Sequence, residues 1–304
     1  MEEPAIASTT MTLTPTFGTM EGFEAFRQKV RTEDRFLSLQ SATMTDWWLM
    51  KFFDGARGNV DVACKMLEKT LQWRIDYAYG DLPNEDYTAD YETGKLYYHR
   101  FALDGTPVLI WRISRHIADP KLSERTVRFI VWTMDKGIRE GTITSRITLL
   151  VDRSSSAQQN IENLHFFRLL TSILQTHFPE MLQRIVIFPT NWLLWTVWKV
   201  VKPFLDVTVV EKVALVGPKE VTKTLETVWS GEDCPERYGG KCVDWTDDGV
   251  VGDGVESLKD SAVAVELLTG SSDDGGKKGG DGSSKGWGVG RMKKMLSHGS
   301  EKDS

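Results

Sequence analysis

The chain has 304 residues, 40% of them hydrophobic, and a formal net charge of -6 at pH 7. This length is enough for one large domain with tails or for two small domains. Between Asp244 and Ser283 there are ten acidic residues and three lysines, a local charge of -7, so the rest of the chain sums to +1. With a nearly neutral remainder, nothing in the sequence resembles a nucleic-acid-binding protein, which would usually show a concentrated basic face.

The composition also bears on location and metal binding. No basic n-region followed by an apolar h-region opens the sequence, and no run reaches the about 20 apolar residues that span a bilayer. The three cysteines, Cys64, Cys234 and Cys242, lack metal-ligand spacing, and their odd number favours free thiols. We therefore expect a cytoplasmic protein without a metal site.

The first 94 residues divide into an arm and a helical module. Residues 1–20 are rich in Thr, Ser and Pro, which is typical of a disordered arm. In residues 21–94, apolar side chains recur at helical spacing and follow good capping residues. Three helices are predicted there, starting near Glu21, at Thr45 or Asp46, and at Asn59.

Residues 95–242 show the pattern of an α/β domain. Short apolar, β-branched runs indicate strands that are buried on both faces, as in a mixed or mostly parallel sheet. The predicted strands are 108–113, 147–151, 184–188 and 213–216, and the predicted helices between them are 123–141, 161–177 and 219–228.

A further helix is predicted at 192–201 (WLLWTVWKVV), ended by Lys202 and Pro203. It is apolar nearly all round, and such a helix is buried, lies in a membrane or lines an apolar cavity. This one is too short to span a bilayer. A core helix, a cavity wall and a membrane-surface helix remain as interpretations.

Residues 243–304 are acidic and then rich in Gly and Ser, a composition that predicts a disordered tail. The end of this tail, 285–298, carries four positive charges and no acid. It either lies on an anionic membrane or is a solvated end without a role. The candidate membrane contacts are Trp287, Arg291, Lys293 and Lys294.

Enzyme motifs are missing from the sequence. It contains no G-x-S-x-G, no H-E-x-x-H and no G-x-G-x-x-G after a strand. Asp152 follows a predicted strand, but it has no partner nucleophile or base in the pattern, and we expect it to cap the next turn. Only the general α/β pattern of strands and helices would favour a hydrolase, so we expect no catalytic residues.

Four pieces of sequence, in order, resemble the CRAL-TRIO lipid-binding domain, in the branch of the secretory-pathway phosphatidylinositol/phosphatidylcholine transfer proteins. The resemblance covers residues 45–240. Its motifs are LMKFFDGARGNVDV (49–62) with LEKTLQWR (67–74), DGTPV (104–108), HFPE (177–180) with WKVVKPFLD (198–206), and CPERYGG (234–240).

The resemblance implies a helical module followed by a mixed, mostly parallel sheet flanked by helices, which encloses an apolar lipid pocket closed by a gate helix. Residues 192–201 match that gate. The implied gate and pocket residues are Trp192, Trp195, Trp198 and Phe204, with Lys199 and Lys202 as membrane contacts. The implied headgroup residues are Arg57, Glu180, Thr208 and Lys212.

The resemblance implies that the protein binds and transfers a phospholipid, most of all phosphatidylinositol. It also implies a monomer that contacts membranes peripherally and needs no cofactor beyond the bound lipid. Ala56 and Val209 stand where the family has Arg and Thr. Two alternatives stay open: a scaffold with a degenerate pocket that recruits partners to membranes, and a carrier of another small hydrophobic ligand.

Overall fold

The computed structural model describes residues 14–244 of the chain. Most of the predicted arm and nearly all of the predicted tail lie outside these residues, as do the candidate membrane contacts Trp287, Arg291, Lys293 and Lys294. None of the helices within 14–244 combines the length and apolar character needed to cross a membrane.

The elements of residues 14–244 follow one another as a helical module and then an α/β unit. The α-helices are α1 (Met20–Thr32), α2 (Asp34–Leu37), α3 (Asp46–Gly55), α4 (Val60–Asp76), α5 (Thr88–Glu92), α6 (Ser123–Arg139), α7 (Leu164–His177), α8 (Trp192–Val201), α9 (Val207–Val210) and α10 (Val221–Leu225). The strands are β1 (Leu96–Phe101), β2 (Pro107–Arg112), β3 (Ile147–Asp152), β4 (Leu182–Phe188) and β5 (Val213–Leu215). Short 3₁₀ helices are Ser41–Thr43, Tyr79–Asn84, Ile113–Arg115, Gln158–Asn160, Lys202–Phe204 and Glu236–Tyr238.

The helical module begins its helices where the capping residues predict. The side chains of Thr19, Thr45 and Asn59 accept hydrogen bonds from the first turns of α1, α3 and α4. Phe52 and Phe53 of α3 are fully buried in the main core. The predicted arm also ends in contact with this module, because the backbone N–H groups of Thr16 and Phe17 donate to Asp54.

The five strands form one sheet in the order β1-β2-β3-β4-β5. The strands β2 to β5 are parallel, and β1 pairs antiparallel with β2. All four strands predicted from apolar runs are present. The edge strand β1 was missed because its sequence, LYYHRF, is not a continuous aliphatic run.

One face of the sheet is sealed. Side chains alternate between the faces of a strand, so every second residue of β2, β3 and β4 shares this face. Five of these residues, Val108, Ile110, Leu150, Val186 and Phe188, are at most 1% exposed. They form one apolar cluster with Leu225, Val228 and Trp229 from the C-terminal segment.

A buried histidine joins the helical module to the α/β unit. His177, the last residue of α7, stacks on Trp73 of α4 with the rings 4.1 Å apart and 7° from parallel. Its Nδ1 lies 3.0 Å from the hydroxyl of Thr70. Burial lowers the pKa of His177 to about 3, with Lys69 and Arg74 acting in the same direction.

This histidine predicts a loss of stability in acid. Its pKa is lower in the folded state, so the unfolded chain takes up a proton first as the pH falls below about 6.5. His177 therefore stabilises the fold fully above about pH 6.5 and less at each step toward pH 3, by up to about 1.4 kcal/mol per pH unit. We expect His177→Gln, which keeps a hydrogen-bonding side chain, to flatten this slope in denaturant unfolding between pH 7 and 4.5. Equal slopes for the variant and the wild type would contradict the assignment.

Candidate functional site

The other face of the sheet is apolar but only partly covered. Leu149 and Val151 of β3 pair in register with Ile185 and Ile187 of β4, and β5 continues the row. Unlike the sealed face, these side chains are half-buried rather than fully buried. We call this surface the trough; it consists of Trp111, Leu149, Val151, Ile185, Ile187, Val213 and Leu215, all half-buried.

Helix α8 has one inward and one outward face, although both are apolar. Asn191 caps it by accepting a hydrogen bond from Leu194 N at 3.0 Å. Leu194 and Val201, seven residues apart, are buried, so they define the inward face. On the outward face, Trp192 is 78% exposed and Trp195 is 49% exposed.

The predicted gate residues therefore divide between the two faces. Trp198 is half-buried, whereas Trp192 and Trp195 face solvent with the neighbouring Lys199. Exposed tryptophan beside lysine is the composition found at membrane-water interfaces.

The segment after α8 is fastened to α7. The amide of Gln175 donates to the carbonyl of Phe204 at 2.9 Å, and the Arg168 guanidinium lies 4.8 Å from the centre of the Phe204 ring. Phe204 is itself 37% exposed, so it lies at the surface end of α8 rather than deep in the trough. Lys202, just before it, is also exposed.

A cluster of charged side chains occupies the amino ends of β3, β4 and β5. The carboxylate of Glu180 pairs with Arg146 at 2.8 Å. The ammonium of Lys51, from α3, donates to the carbonyl of Glu180 at 3.0 Å. Lys212 donates to the carbonyl of Leu182 at 2.8 Å. Helix α3 and two strand ends thus bring three cations around one carboxylate.

Arg57 and Thr208 complete this group. Arg57 follows α3 with a left-handed backbone (φ 55°), and its guanidinium lies 4.1 Å from the centre of the Phe17 ring. The hydroxyl of Thr208 donates to Asp206 at 2.8 Å. The pKa of Asp206 is lowered mainly by its hydrogen bonds with Thr208 and further by the charges of Arg57 and Lys212. Arg57 and Thr208 are therefore linked to the cluster through Asp206.

The electrostatics show that the cluster is crowded with positive charge. Burial is the main reason that the pKa of Lys51 falls to about 8, and Arg146 lowers it further. Burial also lowers the pKa of Lys212, with Arg146 and Arg57 acting in the same direction and Glu180 opposing. An anion placed here would relieve this repulsion between cations.

All four predicted headgroup residues are thus brought to one place, but two residues of the cluster were missed. Lys51 breaks the apolar run WWLMKFF, a signal that could have identified it. Arg146 directly precedes β3 and carried no such signal.

Asp152 caps the next turn as expected, since it accepts from Ser154 N at 2.8 Å. The three cysteines are free, as predicted.

Comparisons with known proteins show which family and fold this chain is similar to. Residues 91–240 match the sequence pattern of the CRAL/TRIO domain. The chain is 22% identical over 237 residues to the Sec14 cytosolic factor of Schizosaccharomyces pombe, covering 71% of this chain and 82% of that protein. It is 24% identical over 251 residues to phosphatidylinositol transfer protein CSR1 of Eremothecium gossypii, covering 75% of this chain and 56% of that protein.

Patellin-4 of Arabidopsis thaliana is 25% identical over 221 residues, covering 69% of this chain and 41% of that protein. The chain thus spans less than two thirds of the length of Patellin-4 and of CSR1. The crystal structure of Sfh5 superposes with a TM-score of 0.55 at 15% identity, covering 78% of this chain and 86% of Sfh5, and so supports the fold alone. The chain therefore contains a CRAL/TRIO domain, which spans residues 91–240.

Proposed function

We propose that this protein binds a phospholipid, first of all phosphatidylinositol, and transfers it between membranes without catalysing a reaction. It does so as a cytoplasmic monomer that contacts membranes peripherally and transiently. One of the relatives above supports the choice of cargo, because CSR1 is named a phosphatidylinositol transfer protein.

The observation that carries the proposal is the junction between the charged cluster and the trough. The cluster lies at the amino ends of β3, β4 and β5, and side chains of these same strands form the trough. A phospholipid has the same arrangement, an anionic headgroup joined directly to apolar chains. Lysine and arginine pair with a phosphodiester, and the Glu180 carboxylate can accept hydrogen bonds from inositol hydroxyls.

The energetics explain why the trough must be apolar. A two-chain lipid exposes some thirty CH₂ groups on leaving a bilayer, and at about 0.8 kcal/mol each the cost exceeds about 20 kcal/mol. Only an equally apolar surface offsets that cost. The half-buried side chains of β3, β4 and β5 supply such a surface.

The outward face of α8 supplies the contact with the membrane. Trp192, Trp195 and Val200 expose apolar surface, and Lys199 stands beside them. This combination favours the interface of an anionic bilayer. Movement of α8 onto the bilayer would open the trough to lipid, whereas its return would cover the bound chains.

The charged cluster predicts that Lys212→Ala impairs the handling of phosphatidylinositol. Loss of a charge-assisted hydrogen bond to the headgroup phosphate is expected to lower the rate of phosphatidylinositol transfer between vesicles about tenfold. The measurement is transfer of labelled phosphatidylinositol from donor to acceptor vesicles by the full chain. The matched control is Lys223→Ala, an exposed lysine on α10.

Transfer by Lys212→Ala at the wild-type rate would remove the cluster from the headgroup site. A folded wild-type protein that transfers no lipid of any class would refute the proposed function as a whole. That result would favour the alternative, a scaffold with a degenerate pocket that recruits partners to membranes.

The outward tryptophans predict a second effect. We expect Trp192→Asp combined with Trp195→Asp to abolish vesicle binding in sedimentation and to lower transfer at least tenfold, because two charges would have to enter the interface. Because Trp192 is 78% exposed and Trp195 is 49% exposed, we expect the variant to remain folded, which denaturant unfolding would check.

Leu103→Asp provides the control for this variant, since Leu103 is an exposed apolar residue (65%) in the β1–β2 turn. It should sediment with vesicles as the wild type does. Normal vesicle binding by the double tryptophan variant would show that α8 is not the membrane contact.

A further inference from the structure

A short segment ahead of α1, residues 16–18, is bound to the end of α3; we call it the strap. The backbone N–H groups of Thr16 and Phe17 both donate to Oδ1 of Asp54, at 2.7 and 3.1 Å. Asp54 is only 7% exposed, and its carboxylate has no other hydrogen-bond donor among residues 14–244. A buried carboxylate without donors is costly, so Asp54 favours the bound strap.

Two glycines let the strap approach the turn between α3 and α4. A Cβ on Gly18 would lie 2.8 Å from the Cα of Gly58, and a Cβ on Gly58 would lie 2.6 Å from the Cα of Gly18. Both glycines also have left-handed backbones, with φ of 81° and 78°. A larger side chain at either position would therefore push the strap away from the turn.

The strap also covers Arg57, the residue that precedes Gly58. The Arg57 guanidinium lies 4.1 Å from the centre of the Phe17 ring, a distance at which an aromatic face attracts a cation. This stacking occupies the flat face of the guanidinium and leaves the N–H donors at its edge for an anion. Arg57 is exposed, and its side chain makes no hydrogen bond or ion pair within the described part of the chain.

Asp54 is an alternative partner for Arg57. The N–H of Arg57 donates to the carbonyl of Asp54 at 2.9 Å, so the two residues belong to one turn. Opposite charges three residues apart at a helix surface attract each other. With the strap bound, the Asp54 carboxylate accepts from the strap and Arg57 stacks on Phe17. Without the strap, both groups would lose these partners and would pair with each other.

We propose that the strap keeps Arg57 available to the phosphate of an anionic lipid headgroup, with Phe17 as a positioning residue, and that release of the strap lets Arg57 pair with Asp54 instead. The inference rests on the proposed function, because it assigns a control to the same headgroup site. After burial and the charge of Arg146, the charge of Arg57 also lowers the pKa of Lys212, so Arg57 lies close to the cluster.

The test measures the rate of phosphatidylinositol transfer by the full chain while the mole fraction of phosphatidylinositol in the donor vesicles is varied. We expect Phe17→Ala to raise the half-saturating mole fraction about threefold, with little change in the maximal rate, because headgroup binding is weakened by the loss of one exposed cation–aromatic contact. Phe17→Trp, which restores an aromatic face, should behave as the wild type does. Leu37→Ala, at an exposed apolar residue of α2 (45%), is the matched control.

Two backgrounds separate positioning from a merely structural role. In Arg57→Gln, Phe17→Ala should cause no further change, since the side chain that it positions is missing. In Asp54→Asn, the amide oxygen still accepts from the strap, but the charge that attracts a guanidinium is gone. Phe17→Ala should therefore raise the half-saturating mole fraction clearly less in Asp54→Asn than in the wild type.

An unchanged half-saturating mole fraction in folded Phe17→Ala would overturn the inference and leave the proposed function standing. A full threefold effect of Phe17→Ala in either background would overturn it as well. A folded wild type that transfers no phosphatidylinositol would instead refute the proposed function, and the role of the strap with it. Gly18→Ala, which displaces the strap and keeps Phe17, guards against a failure of Phe17→Ala to fold, and it should raise the half-saturating mole fraction in the same way.

Discussion

The unequal covering of the two sheet faces is the constraint on which the rest of the structure depends. The C-terminal segment seals one face with Leu225, Val228 and Trp229. On the opposite face, Leu109 and Ile147 are buried in the main core, whereas the rest of that face is left as an open, apolar trough. A sheet covered completely on both faces would have no surface to offer a lipid.

The polar part of the site has its own cost. Gathering Lys51, Arg146 and Lys212 around Glu180 desolvates like charges together, and the lowered pKa of Lys51 and of Lys212 records that strain. An anionic headgroup would offset the repulsion between these cations, and this relief would favour its binding.

Sequence patterns predicted the parts of the fold that depend on local chemistry. β-Branched runs such as 147–151 marked the parallel strands, and Lys202-Pro203 marked the end of α8. The orientation of α8 was not predictable, because a helix that is apolar all round has no polar face to mark its outside. Arg146 was missed for a related reason, since its role arises only when β3 and β4 place it beside Glu180.

The central claim is that the trough and the charged cluster together hold one phospholipid. The most direct measurement is mass spectrometry of the lipid retained by the full-length chain after incubation with mixed natural liposomes and separation from them. The account predicts about one phospholipid per protein, enriched in phosphatidylinositol over its share of the liposomes. A folded protein that retains no lipid, or only an uncharged hydrophobic molecule, would contradict it.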